Sequence, residues 1–274
     1  MIEVLDPGPF ATVQDLGRPG YAALGVPLSG AFDRGALRTA NRLVGNDEGA
    51  AAIEALFGGL RLRALDAVTV AVTGAPCAVR ADPVAGGWGV ALSLPAGAVL
   101  ELGTPRFGSR CYVAVGGGLD VGRELGSAST DTMGGIGPPP LRRGDRPAIG
   151  TPRGLPSAAT AIATPARPLV VRLGPRDDWF SDPSALLETE WTVRDESDRV
   201  GVRLDGPPLA RARRDELPSE PTRPGAVQVP GDGRPIVFGP DAPTTGGYPV
   251  IAVVTDLDAA AQLRPGDRVR FTTR

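Results

Sequence analysis

The sequence of 274 residues contains no histidine and no lysine, so all of its 29 basic residues are arginines. Without histidine, a Ser-His-Asp or Cys-His catalytic centre and histidine-ligated metal sites are excluded. Without lysine, Schiff-base chemistry, the lysine of a P-loop and a lysine that could carry biotin or lipoate are excluded as well. Any charged intermediate would have to be handled by arginines, carboxylates, hydroxyls and backbone amides. No metal site is predicted.

Cysteine and long apolar runs are also scarce. The two cysteines, Cys77 and Cys111, stand in apolar, strand-like contexts and lack CxxC spacing. They are therefore predicted to be buried free thiols in a reducing compartment, with a disulfide as the alternative. No apolar run is long enough to cross a bilayer, and the sequence enters structured chain at Met1 without a signal peptide. A net charge of −2 offers no basic surface for nucleic acid. A cytoplasmic protein is expected, with neither membrane nor nucleic acid as its partner.

Glycine and proline, by contrast, are abundant. The 38 glycines and 29 prolines are spread between short apolar runs, and this distribution is typical of a turn-rich, mainly β protein. Strands are predicted at residues 2–5, 68–72, 99–102, 112–115, 169–173, 200–204, 226–229, 235–238, 250–254 and 268–271.

One helix is well marked. Apolar residues recur at helical spacing over residues 33–44, Asp33 or Ser29 can cap the start, and Gly45 with Asn46 supplies a left-handed stop. Shorter helices are predicted at residues 184–188 and 256–263.

A short sequence pattern, in which a glycine turn leads into a strand, occurs three times and suggests two similar β units. The three copies begin at residues 94, 141 and 263. Residues 150–168 are rich in Thr, Pro, Ala and Ser without a periodic apolar face, so they are predicted to form a linker or a long surface loop.

The segment at residues 243–249 is the first candidate for a functional loop. Thr244, Thr245 and Tyr248 place three hydroxyls around Gly246 and Gly247, directly ahead of an apolar strand. The two glycines can take positive φ and let a ligand or a second backbone approach closely. A β-turn whose glycines serve geometry alone is the alternative.

Two further segments combine small polar residues with turns. Ser29 and Gly30 ahead of the marked helix could present backbone amides to an anion, or could form an ordinary helix cap. Ser129, Thr130 and Asp131 close a polar cluster that starts at residue 127 and could bind a polar ligand or form capped turns. The three glycines at residues 116–118 do not match either nucleotide-binding consensus, so a nucleotide site there is disfavoured.

Charged candidates lie in the second half of the chain. Arg199 and Arg203 would share one face of a strand and could clamp a carboxylate or phosphate, or could form a solvated face with Asp198. Glu220, ahead of another strand, could act as a general base if partly buried.

Taken in order, several blocks resemble the carboxyltransferase-type family that includes the C subunit of bacterial 5-oxoprolinase and the sporulation regulator KipA. The same domain occurs in urea carboxylase and was long labelled allophanate hydrolase subunit 2. The matching blocks cover nearly the whole chain and lie at residues 12–18, 29–33, 40–46, 51–54, 113–120, 125–131, 197–204 and 244–249. Departures fall in loops, such as the prolines at residues 138–140 and Pro243 where the family often has Gln.

The resemblance implies two cyclophilin-like β-barrel domains with a few short helices, here at residues 1–155 and 168–274 with a linker or loop at 156–167. It implies a KipI-like partner, the B subunit, which in an oxoprolinase is joined by the A subunit. Such a complex cleaves 5-oxo-L-proline to L-glutamate at the expense of ATP, and the chain would be inactive alone. The alternatives are a non-catalytic KipA-type antagonist of a KipI-like kinase inhibitor, and a carboxyltransferase that uses carboxybiotin, carried on another protein, on urea or a related amide.

Any of these amide reactions needs an anionic species held by arginine and surrounded by amides and hydroxyls. The predicted catalytic residues are Glu220, Arg199 and Asp241. The predicted substrate-binding residues are Ser29, Asp33, Asn41, Ser129, Thr130, Asp131, Arg203, Gln228, Thr244, Thr245, Gly246, Gly247 and Tyr248.

Overall fold

Strands dominate the computed structural model, which describes residues 1–161, 168–213 and 215–273. Strand accounts for 33% and helix for 9%, so the predicted mainly β fold with few short helices is confirmed. The contacts divide the chain into two units. The first contains Met1–Arg18, Asp33–Asp131 and the described residues from Gly135 to Ala161, and the second contains Pro19–Phe32, Thr132–Gly134 and the described residues from Pro168 onward.

The described residues of the first unit form eleven strands and one helix. Its strands are β1 (Ile2–Pro7), β2 (Phe10–Gln14), β3 (Ala52–Leu56), β4 (Leu60–Ala64), β5 (Val68–Gly74), β6 (Val79–Asp82), β7 (Ala91–Leu94), β8 (Val99–Leu102), β9 (Arg110–Val115), β10 (Leu119–Asp120) and β11 (Ala148–Ile149). Its helix is α1 (Arg34–Leu43).

The second unit has ten strands and two short helices. The strands are β12 (Leu169–Leu173), β13 (Trp191–Val193), β14 (Gly201–Asp205), β15 (Glu220–Pro221), β16 (Ala226–Gln228), β17 (Ile236–Phe238), β18 (Thr245–Gly246), β19 (Val250–Val254), β20 (Arg268–Val269) and β21 (Phe271–Thr272). The helices are α2 (Ala185–Glu188) and α3 (Leu257–Ala261), and single 3₁₀ turns lie at Ala22–Leu24 and Asp177–Trp179.

Two antiparallel sheets enclose the core of the first unit. One has the order β1-β4-β8-β6 and the other the order β2-β3-β9-β5-β7. In β4, Leu60, Leu62 and Ala64 are buried while Arg61 and Arg63 are exposed, which is the alternation of a strand with one face on the core. Strand β9 lies inside its sheet and is buried along its whole length.

The second unit is organised around one eight-stranded sheet with the order β20-β13-β14-β17-β16-β19-β12-β21. The strands at its two ends, β20 and β21, are separated by a single residue, Arg270. The predicted strand at 268–271 is therefore divided, since one half pairs with β13 and the other pairs in parallel with β12. The sheet thus curves into a nearly closed barrel.

The predicted helices are found in place. Helix α1 begins after Asp33, whose carboxylate accepts a hydrogen bond from the amide of Ala36 at 2.8 Å. Its stop is Gly45, at φ 75°, as predicted. Helices α2 and α3 lie within the predicted segments, although α3 is shorter.

Most predicted strands are confirmed, and those at 99–102, 169–173 and 250–254 agree in both bounds. Cys77 and Cys111 are free and buried as predicted, with 3.9 Å between their sulfurs. Residues 162–167 of the predicted linker lie outside the described residues. The domain boundaries at 155 and 168 stay a prediction. Within the described residues, no helix combines the length and apolar character needed to cross a bilayer.

Replacement of Asp33 by Ala should lower the free energy of unfolding by about 1 kcal/mol, because the amide of Ala36 loses its capping acceptor. Urea unfolding of the purified chain would measure the loss. Asp195→Ala, at an exposed position, is the matched control and should have no effect. Equal stabilities of the two variants would contradict the capping role.

Candidate functional site

A buried ion pair between Arg199 and Asp241 lies in the second unit. The guanidinium meets the carboxylate side-on, with Nε donating to Oδ2 at 2.8 Å and Nη2 donating to Oδ1 at 3.0 Å. Arg199 is 4% exposed and Asp241 is 0% exposed. Paired hydrogen bonds of this kind fix the orientation of both groups and compensate for their removal from water.

Two segments distant in sequence complete this cluster. Gly30, at φ 86°, follows Ser29 at φ 51°, and this left-handed turn directs the Gly30 carbonyl to Nη2 of Arg199 at 2.7 Å. The amide and hydroxyl of Thr132 both donate to Oδ2 of Asp241, at 3.0 and 2.7 Å. The amide of Ser29 donates to the carbonyl of Pro240 at 2.8 Å, and its enclosed hydroxyl has no hydrogen-bond partner among the described residues.

Asp241 remains ionised in this setting. Burial by itself raises the pKa of its carboxyl, but the charge and hydrogen bonds of Arg199 and the two bonds from Thr132 outweigh burial, so the pKa lies below its ordinary value. A carboxylate with four donors and a lowered pKa is a weak proton acceptor. The geometry therefore favours a role in which Asp241 positions Arg199 and Thr132.

Glu220 lies in the small antiparallel ladder formed by β15 and β18, where it pairs with Gly246. Its carboxylate accepts hydrogen bonds from Arg176, with Nε 3.1 Å from both oxygens and Nη2 on Oε1. The hydrogen bond with Arg176 lowers the pKa of Glu220 despite the opposing effect of partial burial. Glu220 is thus a weaker base in this pair than a free glutamate would be, and its catalytic role stays a prediction.

The loop at residues 243–249 differs from the expectation at its two glycines. Neither Gly246 nor Gly247 takes positive φ, so the backbone freedom of these two glycines is not used here. Gly246 packs closely against Gln228, since an added Cβ would lie 2.5 Å from its side-chain nitrogen and would displace that side chain. That nitrogen donates to the carbonyl of Tyr248 at 3.0 Å and so holds the loop against the buried strand β16.

The outer side of this loop faces solvent. Thr245, Gly247 and Tyr248 are exposed, Thr244 is half-buried, and the carbonyl of Thr244 accepts from the amide of Thr222 at 2.8 Å. The guanidinium of Arg211 lies 6.0 Å from the centre of the Tyr248 ring. The loop therefore offers hydroxyls and one ring that a small molecule could reach.

In the first unit, the predicted serine cluster forms capped turns around Asp15. The hydroxyls of Ser127 and Ser129 donate to its Oδ1 at 2.6 and 2.5 Å, and the amides of Gly17 and Ala128 donate at 2.7 and 2.8 Å. Ser129 is therefore engaged with protein groups. The neighbouring Thr130 and Asp131 are buried, and the hydroxyl of Thr130 has no hydrogen-bond partner among the described residues.

The remaining predicted residues of this unit hold α1. Asp33 caps the helix with its carboxylate, so the helix start is occupied by a negative group of the chain itself and does not fit the predicted anion site. The side chain of Asn41 donates to the carbonyls of Glu48 and Ala50 at 3.2 and 2.8 Å, which is a structural role. The hydroxyl of Tyr112 accepts from the amide of Asp33 at 2.8 Å.

Tyr112 extends this arrangement into the core of the first unit. Its hydroxyl donates to Oε2 of Glu54 at 2.6 Å, and Glu54 lies 3.5 Å from Nε of Arg110. Burial, and then the charge of Glu54, raise the pKa of the Tyr112 phenol well above its ordinary value. The phenol therefore stays protonated and fixes the start of α1.

The predicted arginine clamp is not formed as expected. Arg199 lies in the loop before β14, whereas Arg203 lies within β14 and is half-buried. Sequence reasoning also missed Arg176 and Thr132, because each meets its partner across a long separation of 44 and 109 residues.

Neither a phosphate loop nor a metal cluster is found among the described residues. The amides of Gly116, Gly117 and Gly118 donate to Thr69, Asn46 and Val115, so this turn has no free amides for a phosphate. Within the same residues, no group of three Cys, Asp or Glu side chains could hold a metal ion.

Comparison with known proteins identifies the family. The sequence model described as "Carboxyltransferase domain, subdomain A and B" matches residues 24–273. The chain belongs to this carboxyltransferase domain family. Over 280 residues it is 38% identical to the C subunit of 5-oxoprolinase from Escherichia coli, covering 99% of this chain and 90% of the relative. The Haemophilus influenzae protein of the same name is 37% identical with equal coverage.

Members of the family also occur within longer proteins. Urea amidolyase of Lachancea kluyveri is 32% identical, and the chain spans 17% of it. The crystal structure of the K. lactis urea amidolyase superimposes with a TM-score of 0.92 at 31% identity, covering 99% of this chain and 18% of that one. A crystal structure of TTHA0988 gives a TM-score of 0.90 at 36% identity and covers 55% of that chain.

Asp241→Asn should destabilise the chain by about 3 kcal/mol at pH 7, because it removes the carboxylate charge that pairs with the buried guanidinium of Arg199. The pKa of Asp241 is lower in the folded than in the unfolded chain, so the pair stabilises the fold above about pH 4, the ordinary carboxyl range. This contribution is lost as the pH falls through the folded-state pKa. Urea unfolding from pH 7 to pH 3 should therefore show the difference from wild type shrinking only below about pH 4. A difference that is constant throughout would contradict the ion-pair account.

Arg176→Gln should raise the pKa of Glu220 toward its ordinary range, since the hydrogen bond with Arg176 is the largest cause of the lowering. Carbon-13 NMR titration of the glutamate carboxyls would measure the change. Arg223→Gln, at an exposed position near the same ladder, is the control and should leave the titration of Glu220 as it is. An unchanged Glu220 in the Arg176 variant would show that the pair does not persist in solution.

Proposed function

We propose that this chain is the C component of an ATP-dependent 5-oxoprolinase, working in the cytoplasm with A and B components to convert 5-oxo-L-proline to L-glutamate. The observation that carries the proposal is coverage. The chain matches a protein named as the C subunit of 5-oxoprolinase over 90% of that protein's length, whereas it spans 17% of the urea amidolyase relative. The chain is thus similar to a C subunit of 5-oxoprolinase along nearly the whole of that protein.

Opening a lactam adds water to the carbonyl carbon, places negative charge on the carbonyl oxygen and requires a proton on the leaving nitrogen. The exposed hydroxyls of Thr245 and Tyr248 are the reachable donors for such an oxyanion. Arg176 and Glu220, next to this loop, are partly exposed and supply a cation and a carboxylate. The buried pair of Arg199 and Asp241 would hold the frame of the second unit that carries them.

ATP is assigned to another component of the complex. The glycine turn at residues 116–118 uses its amides internally, and the chain contains no lysine for a P-loop. The residues of this chain therefore do not fit a phosphate-binding loop, and no step on ATP is assigned to them.

A second candidate is transfer of a carboxyl group to urea or a related amide. The family description and the TM-score of 0.92 with the K. lactis urea amidolyase favour it. Because these 274 residues contain no lysine, biotin would have to be carried outside this sequence. The two activities differ in their need for biotin, so avidin would abolish the second and leave the first intact.

ATP-dependent release of glutamate from 5-oxoproline is expected when the purified chain is mixed with its cognate A and B components, and not when the chain is omitted. Thr245→Ala should lower kcat by about 100-fold, in the range of a lost oxyanion donor. Its position is exposed, so the fold should be retained. Thr273→Ala, also exposed, is the matched control and should keep full activity.

Each outcome of this assay leads to a distinct conclusion. Full activity of the Thr245 variant would remove the hydroxyl from the reaction while leaving the function in place. No turnover in the complete mixture, with a stable complex with the B component in size-exclusion chromatography, would replace the oxoprolinase proposal with a regulatory role of the KipA type. Carboxylation of urea that avidin blocks would establish the second candidate.

A further inference from the structure

Arg18, in the first unit, is enclosed but almost unpaired. It is 1% exposed, and its Nη2 donates a hydrogen bond to the carbonyl of Ser129. Its Nε and Nη1 are fully enclosed and have no hydrogen-bond acceptor among the described residues. Within the same residues, no carboxylate lies at ion-pair distance from this guanidinium.

The carboxylate nearest to Arg18 in the sequence is used elsewhere. Asp15 accepts hydrogen bonds from the hydroxyls of Ser127 and Ser129 and from two backbone amides, and its second oxygen lies 3.4 Å from Arg123. It is therefore saturated by other donors and does not neutralise Arg18 by direct contact.

The other arginines with comparable burial are treated differently. Arg199 has Asp241, and Arg110 has Glu54 at 3.5 Å. Enclosing a cation without a counter-charge costs several kcal/mol, and a chain tolerates such a cost where the group serves a ligand. Arg18 is thus the exception that points to an external anion.

Two further enclosed polar atoms that lack a partner in the described part of the chain belong to residues that are joined to the same stretch of backbone as Arg18. Oε1 of Gln14 and Oγ1 of Thr130 are both enclosed and without a partner among the described residues. Nε2 of Gln14 donates to the carbonyl of Thr130 at 3.0 Å, while Arg18 donates to that of Ser129. Since these two carbonyls belong to consecutive residues, whose Cα atoms are about 3.8 Å apart, both side chains converge on one short piece of backbone.

We propose that Arg18, Thr130 and Gln14 form a receptor for a small organic carboxylate that carries a neighbouring N–H group. The guanidinium pairs with the carboxylate oxygens, the hydroxyl of Thr130 adds a donor, and Oε1 of Gln14 accepts from the N–H. 5-Oxoproline has both groups, and naming it rests on the proposed function; Arg18 would bind it at a second site, in addition to the loop of Thr245 and Tyr248 to which the reaction is assigned. The binding of a carboxylate at Arg18 does not.

The receptor is closed in this conformation. Gly137, at φ 84°, packs against the guanidinium so closely that an added Cβ would lie 3.0 Å from Nη2. Gly135, two residues earlier, also has positive φ and is exposed. Access for a ligand therefore requires this glycine-containing turn to shift, and the association is expected to be slow.

The test uses the purified chain alone and measures its melting temperature with three probes of similar size: 5-oxoproline, cyclopentanecarboxylate and 2-pyrrolidinone. The first should raise Tm by about 5 °C at roughly 100 times its Kd, the second should raise it less, and the third should have no effect. Arg18→Met removes the charge but keeps much of the length of the side chain. It should abolish every shift while leaving the ligand-free Tm equal to or above that of wild type.

Arg80→Met, at an exposed arginine of the same unit, is the matched control and should keep the wild-type shifts. Three results would overturn the receptor: no carboxylate raises Tm, the Arg18 variant retains the shift, or it melts well below wild type without ligand. Arg18→Gln serves as the second variant if Arg18→Met does not fold. Carboxylate binding by a chain that releases no glutamate in the complete mixture would support the receptor and reject the oxoprolinase, so the two proposals fail separately.

Discussion

The carboxylate of Asp241 is completely enclosed, and its charge is tolerated because Arg199 meets both of its oxygens. This interaction does more for the second unit than contribute the energy of one ion pair, because it also holds two other segments of the chain in place. Gly30 and Thr132, which contribute the remaining hydrogen bonds, come from short segments far from the main body of that unit in sequence. The pair thus attaches Pro19–Phe32 and Thr132–Gly134 to the eight-stranded sheet. A hydrophobic pair at the same position would bury a similar area, but it would lack the directional hydrogen bonds that hold these two segments.

Because the chain contains no lysine, its buried cationic side chains are all guanidinium groups. A guanidinium has five donors in a rigid plane, so each enclosed arginine fixes several acceptors at once. Arg199 does so with a carboxylate and a carbonyl, while Arg110 lies beside Glu54 in the first unit. Arg18 has the same chemistry with most of its donors unused. This contrast within one chain is the physical basis for separating arginines that hold the fold from one that awaits a ligand.

The sequence predicted those helices and strands whose formation depends on residues close together in the chain. Helix α1 was recognisable because its cap, its apolar spacing and its glycine stop all lie within a short stretch. Strands rich in valine and isoleucine, such as β19, were found with correct bounds. Strand β4 was missed, since its exposed positions are arginines that interrupt the apolar run.

The candidate site was less predictable, because its geometry depends on pairs that are remote in sequence. Glu220 was singled out from its neighbours, but its chemistry is set by Arg176, which no motif connects to it. Gly246 was singled out for the positive φ that glycine can adopt, whereas in the fold its φ is not positive and its close neighbour is the side chain of Gln228. Residue type can reveal that a position is special, whereas the reason lies in a contact that only the fold shows.

The division of the last strand at Arg270 has a consequence for how this chain avoids association with copies of itself. An open sheet of eight strands would end in two rows of unpaired amides and carbonyls, which are templates for pairing with another chain. Here β20 and β21 supply both outermost strands from one short stretch, and each is only two residues long. The unsatisfied edge is thereby reduced to a few groups that flank a single exposed arginine. The short outermost strands of this sheet therefore leave few backbone groups to which another strand could be added.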